Sequence, residues 1–164
     1  MIPSPEGTLV YPGIQGGTNW YSPSYSPQTG LFYLSVWELP NIFFMGNSIY
    51  DPGNFFYGSL MQGASEEEPG WGAVRALAPK TGEIKWEYRL HTVPWSGILS
   101  TAGGLIFSGT ADGQFFALDA DTGKELWVAS LGGMISASPI SYLSDGKQQI
   151  SIAAGSALFT FELE

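Results

Sequence analysis

The sequence contains no cysteine, one histidine and few basic residues. Without cysteine there is no disulfide framework, no thiolate metal site and no thiol nucleophile. Six Lys and Arg residues face fifteen Asp and Glu residues, which gives a formal net charge of −9. This balance argues against a nucleic-acid partner, because nucleic-acid binding takes most of its affinity from Lys and Arg. His91 has no second ligand candidate beside it and indicates neither a metal site nor a general base.

Long apolar runs are also missing. None approaches the roughly 18 residues of a membrane-spanning helix, and residues 1–6 lack the basic region and apolar core of a signal peptide. Of the 164 residues, 44% are hydrophobic and 13% are charged, which argues against wholesale disorder. The 22 glycines and 11 prolines would interrupt helices of ordinary length. The composition therefore predicts an all-β chain of strands and turns.

An eleven-residue pattern occurs twice. It runs from Ala76 to Trp86 and from Ala117 to Trp127, with Ala-Leu at its start, Thr-Gly five residues after the Ala, and Trp at its end. A period near 40 residues with short strands and Thr-Gly turns is typical of a β-propeller with four-stranded blades. We interpret the two tryptophans of the pattern as packing residues between blades.

Alternation of apolar and polar residues divides the chain into three units. A whole blade is predicted over residues 91–130, with its strands at 98–101, 104–110, 114–119 and 124–129. The last unit, 131–164, is predicted to begin with 135–141, turn at 144–147 and continue as strands at 149–154 and 158–163.

An upstream unit, 14–90, has predicted inner strands at 19–25 and 31–37 and outer strands at 71–77 and 83–88. Between them, residues 39–70 are predicted to form an insertion loop. Its acidic run, 66–68, is predicted to be a solvated face because adjacent carboxylates repel one another.

These units amount to two blades and three-quarters of a third. Closed propellers usually have four to eight blades, so the sequence predicts part of a larger ring whose last blade lacks its outer strand. The open flank is predicted to be apolar and drawn from residues such as Ile150, Ile152, Phe159 and Phe161. With an unpaired edge at 158–163, the chain alone is expected to self-associate, aggregate or require the missing blades in trans.

Three segments resemble the pyrroloquinoline-quinone (PQQ) dependent alcohol and methanol dehydrogenases. They are 18–27 (Thr-Asn-Trp-Tyr-Ser-Pro-Ser-Tyr-Ser-Pro), 71–86 with its Thr-Gly and Trp, and 94–105, which begins Pro-Trp-Ser-Gly. The resemblance covers nearly the whole chain and is weakest over 39–70. Many PQQ-like propellers share the repeat, including non-enzymatic ones, whereas the Asn-Trp-Tyr-Ser-Pro and Pro-Trp-Ser-Gly segments are more specific.

The resemblance implies an eight-bladed propeller, of which this chain is the C-terminal portion, with PQQ buried near the axis. It implies that Asn19 hydrogen-bonds the ortho-quinone end of PQQ, that Trp20 lines the same pocket, that Trp95 binds at the rim, and that Ile135 contacts the cofactor. A fixed amide donor suits a carbonyl that becomes anionic, and a flat cofactor suits aromatic surface. Asn19 also suits a turn, and Trp20 also suits packing between blades.

The resemblance places the catalytic base and the ligands of a Ca²⁺ or lanthanide ion in earlier blades, and none can be assigned here; Asp51 is interpreted as a turn residue. The chain is therefore predicted to be inactive alone and to form one wall of the quinone pocket of a periplasmic alcohol dehydrogenase. This enzyme would oxidise a primary alcohol to an aldehyde and pass electrons to an acceptor such as a cytochrome c. The alternatives are a non-catalytic propeller scaffold and a half-protein that pairs with another chain. Asn19, Trp20 and Trp95 together favour the enzyme.

Overall fold

The computed structural model describes residues 2–46, 49–56, 58–63, 65, 67 and 69–162. These residues form strands that pair into four antiparallel sheets. No helix among them is long and apolar enough to cross a membrane. The strands are β1 (Thr8–Val10), β2 (Ser24–Ser26), β3 (Leu31–Glu38), β4 (Asn41–Met45), β5 (Ser59–Gln62), β6 (Trp71–Leu77), β7 (Ile84–Leu90), β8 (Leu99–Ser100), β9 (Leu105–Gly109), β10 (Gln114–Asp119), β11 (Glu125–Ser130), β12 (Ile140–Ser144), β13 (Lys147–Ala154) and β14 (Ala157–Glu162).

The first blade is a four-stranded sheet in the order β2-β3-β6-β7. Its two outer strands are joined by a turn in which Gly82 adopts a φ of +72°, a conformation that favours glycine. The inner strand is shorter than predicted, because only Ser24–Ser26 pairs with β3. Asn19 closes a local turn through its side chain, and Pro23 has no N–H to donate.

The second blade has the order β8-β9-β10-β11 and contains the four strands predicted for it. The second copy of the eleven-residue repeat, residues 117–127, begins in β10 and ends in β11. The last sheet has the order β12-β13-β14, with no fourth strand among the described residues. The predicted all-β architecture, an unclosed part of a propeller, is confirmed.

The last sheet begins later than predicted. Its first strand starts at Ile140, because the preceding segment is bonded to the second blade instead of to β13. The main-chain N–H of Ile135 donates to the carbonyl of Thr110 at 3.2 Å.

The segment 39–70, predicted as an insertion loop, also contains strands. β4 and β5 pair with each other, and β1 from the N-terminal segment pairs with β4, which gives a separate three-stranded sheet. The aromatic and β-branched residues 42–44 explain why this stretch is extended. Within the acidic run, Glu66 and Glu68 lie outside the described residues, and Glu67 is exposed.

Two apolar seams hold the three units together. The first seam, between the first and second blades, buries Tyr33, Val74, Trp86, Ile106, Phe116 and Leu118 with their neighbours. The second seam, between the second blade and the last sheet, buries Phe107, Phe115, Ile135, Ile150 and Ile152.

The four residues predicted for the open flank are wrong, although the open face does expose apolar side chains at Ile140 and Leu158. Ile150 and Ile152 are fully buried in the second seam, and Phe159 and Phe161 pack against it. The opposite face of the same sheet carries a row of hydroxyls, in which Ser151 bonds with both Tyr142 and Thr160. Since side chains alternate along a strand, the apolar set had to face either the second blade or solvent. Self-association of the isolated chain stays a prediction.

Candidate functional site

The inner segments of the three units meet side by side. The main-chain N–H of Ile98 donates to the carbonyl of Ser22 at 2.8 Å, and the hydroxyl of Ser96 donates to the carbonyl of Ala137 at 2.8 Å. Gly97 lies between them. A Cβ added there would lie 3.2 Å from Cβ of Ser22 and would overlap Ser138. Glycine at this position therefore permits the close approach of all three segments.

Four aromatic side chains pack together beside this meeting point: Trp20, Tyr21, Trp37 and Trp95. We call them the aromatic cluster. Ring centroids are 4.6 Å apart for Trp20 and Tyr21, 5.5 Å for Tyr21 and Trp37, 5.9 Å for Tyr21 and Trp95, and 4.7 Å for Trp37 and Trp95. The structure therefore brings together two segments that are 75 residues apart in the sequence.

The cluster has a buried base and an open top. Tyr21 and Trp37 are buried, Trp95 is half-buried, and 71% of the surface of Trp20 is exposed. Burial also raises the pKa of the Tyr21 phenol above its ordinary value. Trp20 packs on the buried Tyr21 ring and keeps its other face open. Its indole therefore offers a flat apolar platform to a ligand.

Asn19 lies at the edge of this platform and is exposed. Its side-chain Nδ2 donates to the carbonyl of Gln15 at 3.1 Å and lies 3.4 Å from that residue's Oε1. Its Oδ1 accepts the main-chain N–H of Trp20 at 2.8 Å. The amide thus closes a turn that presents Trp20.

Ile135 lies elsewhere. Its side chain is fully buried in the second seam, against Gly109, where an added Cβ would come within 2.6 Å of Ile135 Cγ2. Of the four residues that the sequence singles out, Asn19, Trp20 and Trp95 gather around the cluster, and the side chain of Ile135 packs in the core.

Tyr21 and Trp37 are the cluster members that sequence reasoning missed as site residues. Trp37 sits at the end of a strand whose residues 31, 33, 35 and 37 share the face toward the second blade. That period-two pattern predicts burial, and only the fold shows that Trp95 arrives on top of it.

The side chains of His91, Asp112 and Glu125 lie away from the aromatic cluster, in a separate cleft. A cleft of about 290 Å³ between the outer parts of the first two blades is lined by Tyr88, His91, Asp112 and Glu125, among others. Hydrogen bonds from the hydroxyl of Thr110 and from other donors hold the pKa of Asp112 below its ordinary value. Within the described part of the chain, no group of three or more His, Asp or Glu residues could hold a metal ion.

Comparison with known proteins gives consistent matches. The PQQ_2 family model, described as outer membrane protein assembly factor BamB, matches residues 71–161. Quinoprotein alcohol dehydrogenase PedE of Pseudomonas putida is 38% identical over 146 residues, which covers 89% of this chain and 23% of that protein.

Two solved structures share the fold. Quinohemoprotein alcohol dehydrogenase ADHIIG of Pseudomonas putida HK5 superposes with a TM-score of 0.81 at 30% identity, over 93% of this chain and 24% of that one. A europium-containing methanol dehydrogenase superposes with a TM-score of 0.79 at 35% identity, over 88% of this chain and 26% of that one. The chain thus spans about a quarter of the length of these relatives.

Proposed function

The chain belongs to the family of PQQ-type β-propellers that includes the quinoprotein alcohol dehydrogenases, and from that premise we propose that it forms one wall of a quinone pocket. The complete enzyme would oxidise a primary alcohol to an aldehyde. Because the chain spans about a quarter of its relatives, the remaining walls must come from the other blades of the ring.

The observation that carries the proposal is the open top of the aromatic cluster. Trp20 keeps 71% of its surface exposed while Tyr21 and Trp37 beneath it are buried. A single exposed indole needs no explanation, but contiguous exposed apolar surface marks ligand or partner sites, and Trp is enriched at interfaces. Trp20 and half-buried Trp95 present surface of the kind that a planar cofactor needs.

Trp20, Trp95 and Asn19 are each proposed to contact a different part of PQQ. Trp20 would lie against the flat ring system, and Trp95 would contact its rim. Asn19 would turn an amide N–H toward a quinone carbonyl, giving up a bond to Gln15 that is exposed and therefore costs little to exchange. A positioned donor of this kind stabilises negative charge as it develops on oxygen.

PQQ, when bound, supplies the quinone that accepts the hydride and electrons of the alcohol. The catalytic base and the Ca²⁺ or lanthanide ligands are proposed to lie in the other blades, and a cytochrome c in the periplasm is proposed as electron acceptor. Contact of Ile135 with the cofactor remains a proposal from the resemblance alone, since its side chain is buried in the second seam.

A PQQ titration of the chain, followed by quenching of tryptophan fluorescence, tests the wall. We expect saturable quenching that becomes at least tenfold weaker in Trp20→Ala. The matched control is Trp127→Phe, which alters an indole packed against Phe115 and Phe161 and should leave the affinity unchanged. Equal affinity in the parent and Trp20→Ala would contradict the proposal.

A second measurement tests whether the chain forms only one wall of the pocket or a complete catalytic site. With PQQ, Ca²⁺ and ethanol present, we expect no dye reduction by the chain alone, because the base and the metal ligands are proposed to belong to the other blades. Dye reduction would show that this chain assembles a working site. Absence of any PQQ quenching would favour the non-catalytic scaffold.

A further inference from the structure

Trp95 lies on a segment that crosses the face of the first blade. Residues 92–94 pass over β6 at Gly72, where an added Cβ would lie 2.8 Å from Val93 Cα and 3.0 Å from the Thr92 carbonyl oxygen and would overlap Pro94. No φ strain is involved at Gly72, so space alone requires glycine there. The segment that carries Trp95 is thus seated directly on the sheet.

Two side chains of β3 bind the main chain on either side of Trp95. The indole Nε1–H of Trp37 donates to the carbonyl of Pro94 at 2.6 Å, and the hydroxyl of Ser35 donates to the carbonyl of Ser96 at 3.0 Å. Residues 35 and 37 point to the same face because side chains alternate along a strand. Their spacing therefore matches that of two carbonyls two residues apart in the 94–96 segment, with Trp95 between them.

These two bonds are buried. Ser35, Trp37, Pro94 and Ser96 have almost no exposed surface, so water does not compete for the two carbonyls. A buried carbonyl that loses its donor is costly to leave unpaired, and each bond therefore restrains the peptide unit it reaches. The two bonds thus fix the main chain before and after Trp95, and its indole packs against the rings of Trp37 and Tyr21.

Trp37 also connects the two halves of the aromatic cluster. Its ring centroid is 4.7 Å from that of Trp95, with the planes at 57°, and 5.5 Å from that of Tyr21, which in turn supports Trp20. A single buried indole thus contacts both segments from which the open platform is built.

We infer that Ser35 and Trp37 are positioning residues that set the orientation of Trp95 in the cofactor wall. Neither residue is part of the exposed platform. Ser35 acts through the main chain of 94–96, and Trp37 acts through that main chain and through its ring contact with Trp95. The use of that orientation for a planar cofactor rests on the proposed function. The positioning itself belongs to the chain without any ligand, and can be measured there.

Ser35→Ala is the decisive variant, because it removes one hydroxyl and leaves every ring in place. In the ¹⁵N-labelled chain, the six tryptophans each give an indole N–H resonance, and Trp95→Phe identifies that of Trp95. We expect Ser35→Ala to shift or broaden the Trp95 resonance, and Ser35→Thr, which keeps the hydroxyl, to restore it.

Ser24→Ala is the matched control. It also removes a hydroxyl from an inner strand, one that bonds with Ser100 and not with the Trp95 segment, so the Trp95 resonance should stay at its parental position. An unmoved Trp95 resonance in Ser35→Ala, or an equal shift in Ser24→Ala, would overturn the inference. Trp37→Phe, which keeps a ring and removes the donor, should broaden the Trp95 resonance further.

PQQ titration of the same variants tests whether the orientation of Trp95 matters for cofactor binding. We expect about fivefold weaker quenching in Ser35→Ala and parental affinity in Ser24→Ala. A moved Trp95 resonance with unchanged PQQ affinity would refute a role toward the cofactor. If the parent chain shows no quenching, the proposed function fails, while the resonance of Trp95 still decides whether Ser35 positions it.

Discussion

Trp86 and Trp127 occupy the same position in the two copies of the repeat, yet the fold treats them differently. Trp86 is 9% exposed, donates from Nε1–H to the carbonyl of Ala120 at 3.1 Å, and lies under the turn at Gly123. Trp127 is 39% exposed and meets Phe115 and Phe161 edge-on, at 6.0 and 5.0 Å.

The difference comes from the neighbouring unit on the C-terminal side of each blade. The Thr-Gly turn of the second blade covers Trp86 of the first, whereas the last sheet ends, in the described part of the chain, without the outer strand that such a turn would join. A cavity of about 370 Å³ lies beside Trp127 and Phe161 instead. The repeat thus supplies the tryptophan, and the next blade supplies the turn that covers it.

Replacing each of the two tryptophans by alanine should give the largest difference in free energy of unfolding between the two seams. Removing a buried indole typically costs about 3–5 kcal/mol, so we expect that loss for Trp86→Ala and roughly 1–2 kcal/mol for half-covered Trp127→Ala. Urea titrations at one matched protein concentration give both free energies of unfolding. Equal losses would mean that the two seams are equivalent after all.

The two Thr-Gly turns give the next largest contrast. Gly82 and Gly123 have φ values of +72° and +71°, so alanine is strained at either, by about 1–2 kcal/mol. At Gly123 an added Cβ would also lie 2.5 Å from the Trp86 ring, whereas at Gly82 nothing lies within 4 Å.

We therefore expect Gly123→Ala to cost about 2–4 kcal/mol, since overpacking adds to the backbone strain, and Gly82→Ala only the strain. The same urea titrations measure both. In Trp86→Ala the extra penalty at Gly123 should disappear, because the ring that it meets is gone. A penalty that persists without the ring would contradict this explanation.

Asp119 provides the smallest and most specific contrast. Its carboxylate accepts the Thr122 hydroxyl at 2.7 Å and the N–H groups of Thr122 and Asp121, and these bonds hold the pKa of Asp119 below its ordinary value, the hydroxyl most strongly. The first copy of the repeat has Ala78 at this position, so only the second turn is closed by a carboxylate.

Because the pKa of Asp119 is lower in the folded chain, its stabilisation is present above the unfolded pKa, near 3.9, and is lost as the pH falls through the folded value. Asp119→Ala should cost a few tenths of a kcal/mol at pH 7, as is usual for exposed charged groups, and progressively less as the pH falls below the unfolded pKa. Unfolding free energies at pH 7 and pH 3 check this. A cost that does not shrink at low pH would assign the effect to packing.

Much of the candidate site could be predicted from local sequence. The segments around Asn19-Trp20 and Trp95 are marked by their own residues, and the fold brings them within one aromatic cluster. Trp37 could not be found in this way, because its role depends on a contact across 57 residues with the carbonyl of Pro94. Ile135 sits at a corresponding place in its unit, but its side chain packs on Gly109, a contact that no local pattern reveals.

By itself, the sequence determined most strands and turns of the three units and the repeat, because alternation and Thr-Gly turns act over a few residues. An all-β fold of propeller blades results from those local rules. Only the tertiary structure decided which face of each sheet is covered. Ile150 and Ile152 are buried because the second blade lies on their side of the last sheet, and Trp127 remains half-open because nothing in the described chain covers it. A strand's pattern separates its two faces, but the burial of either face requires a neighbour.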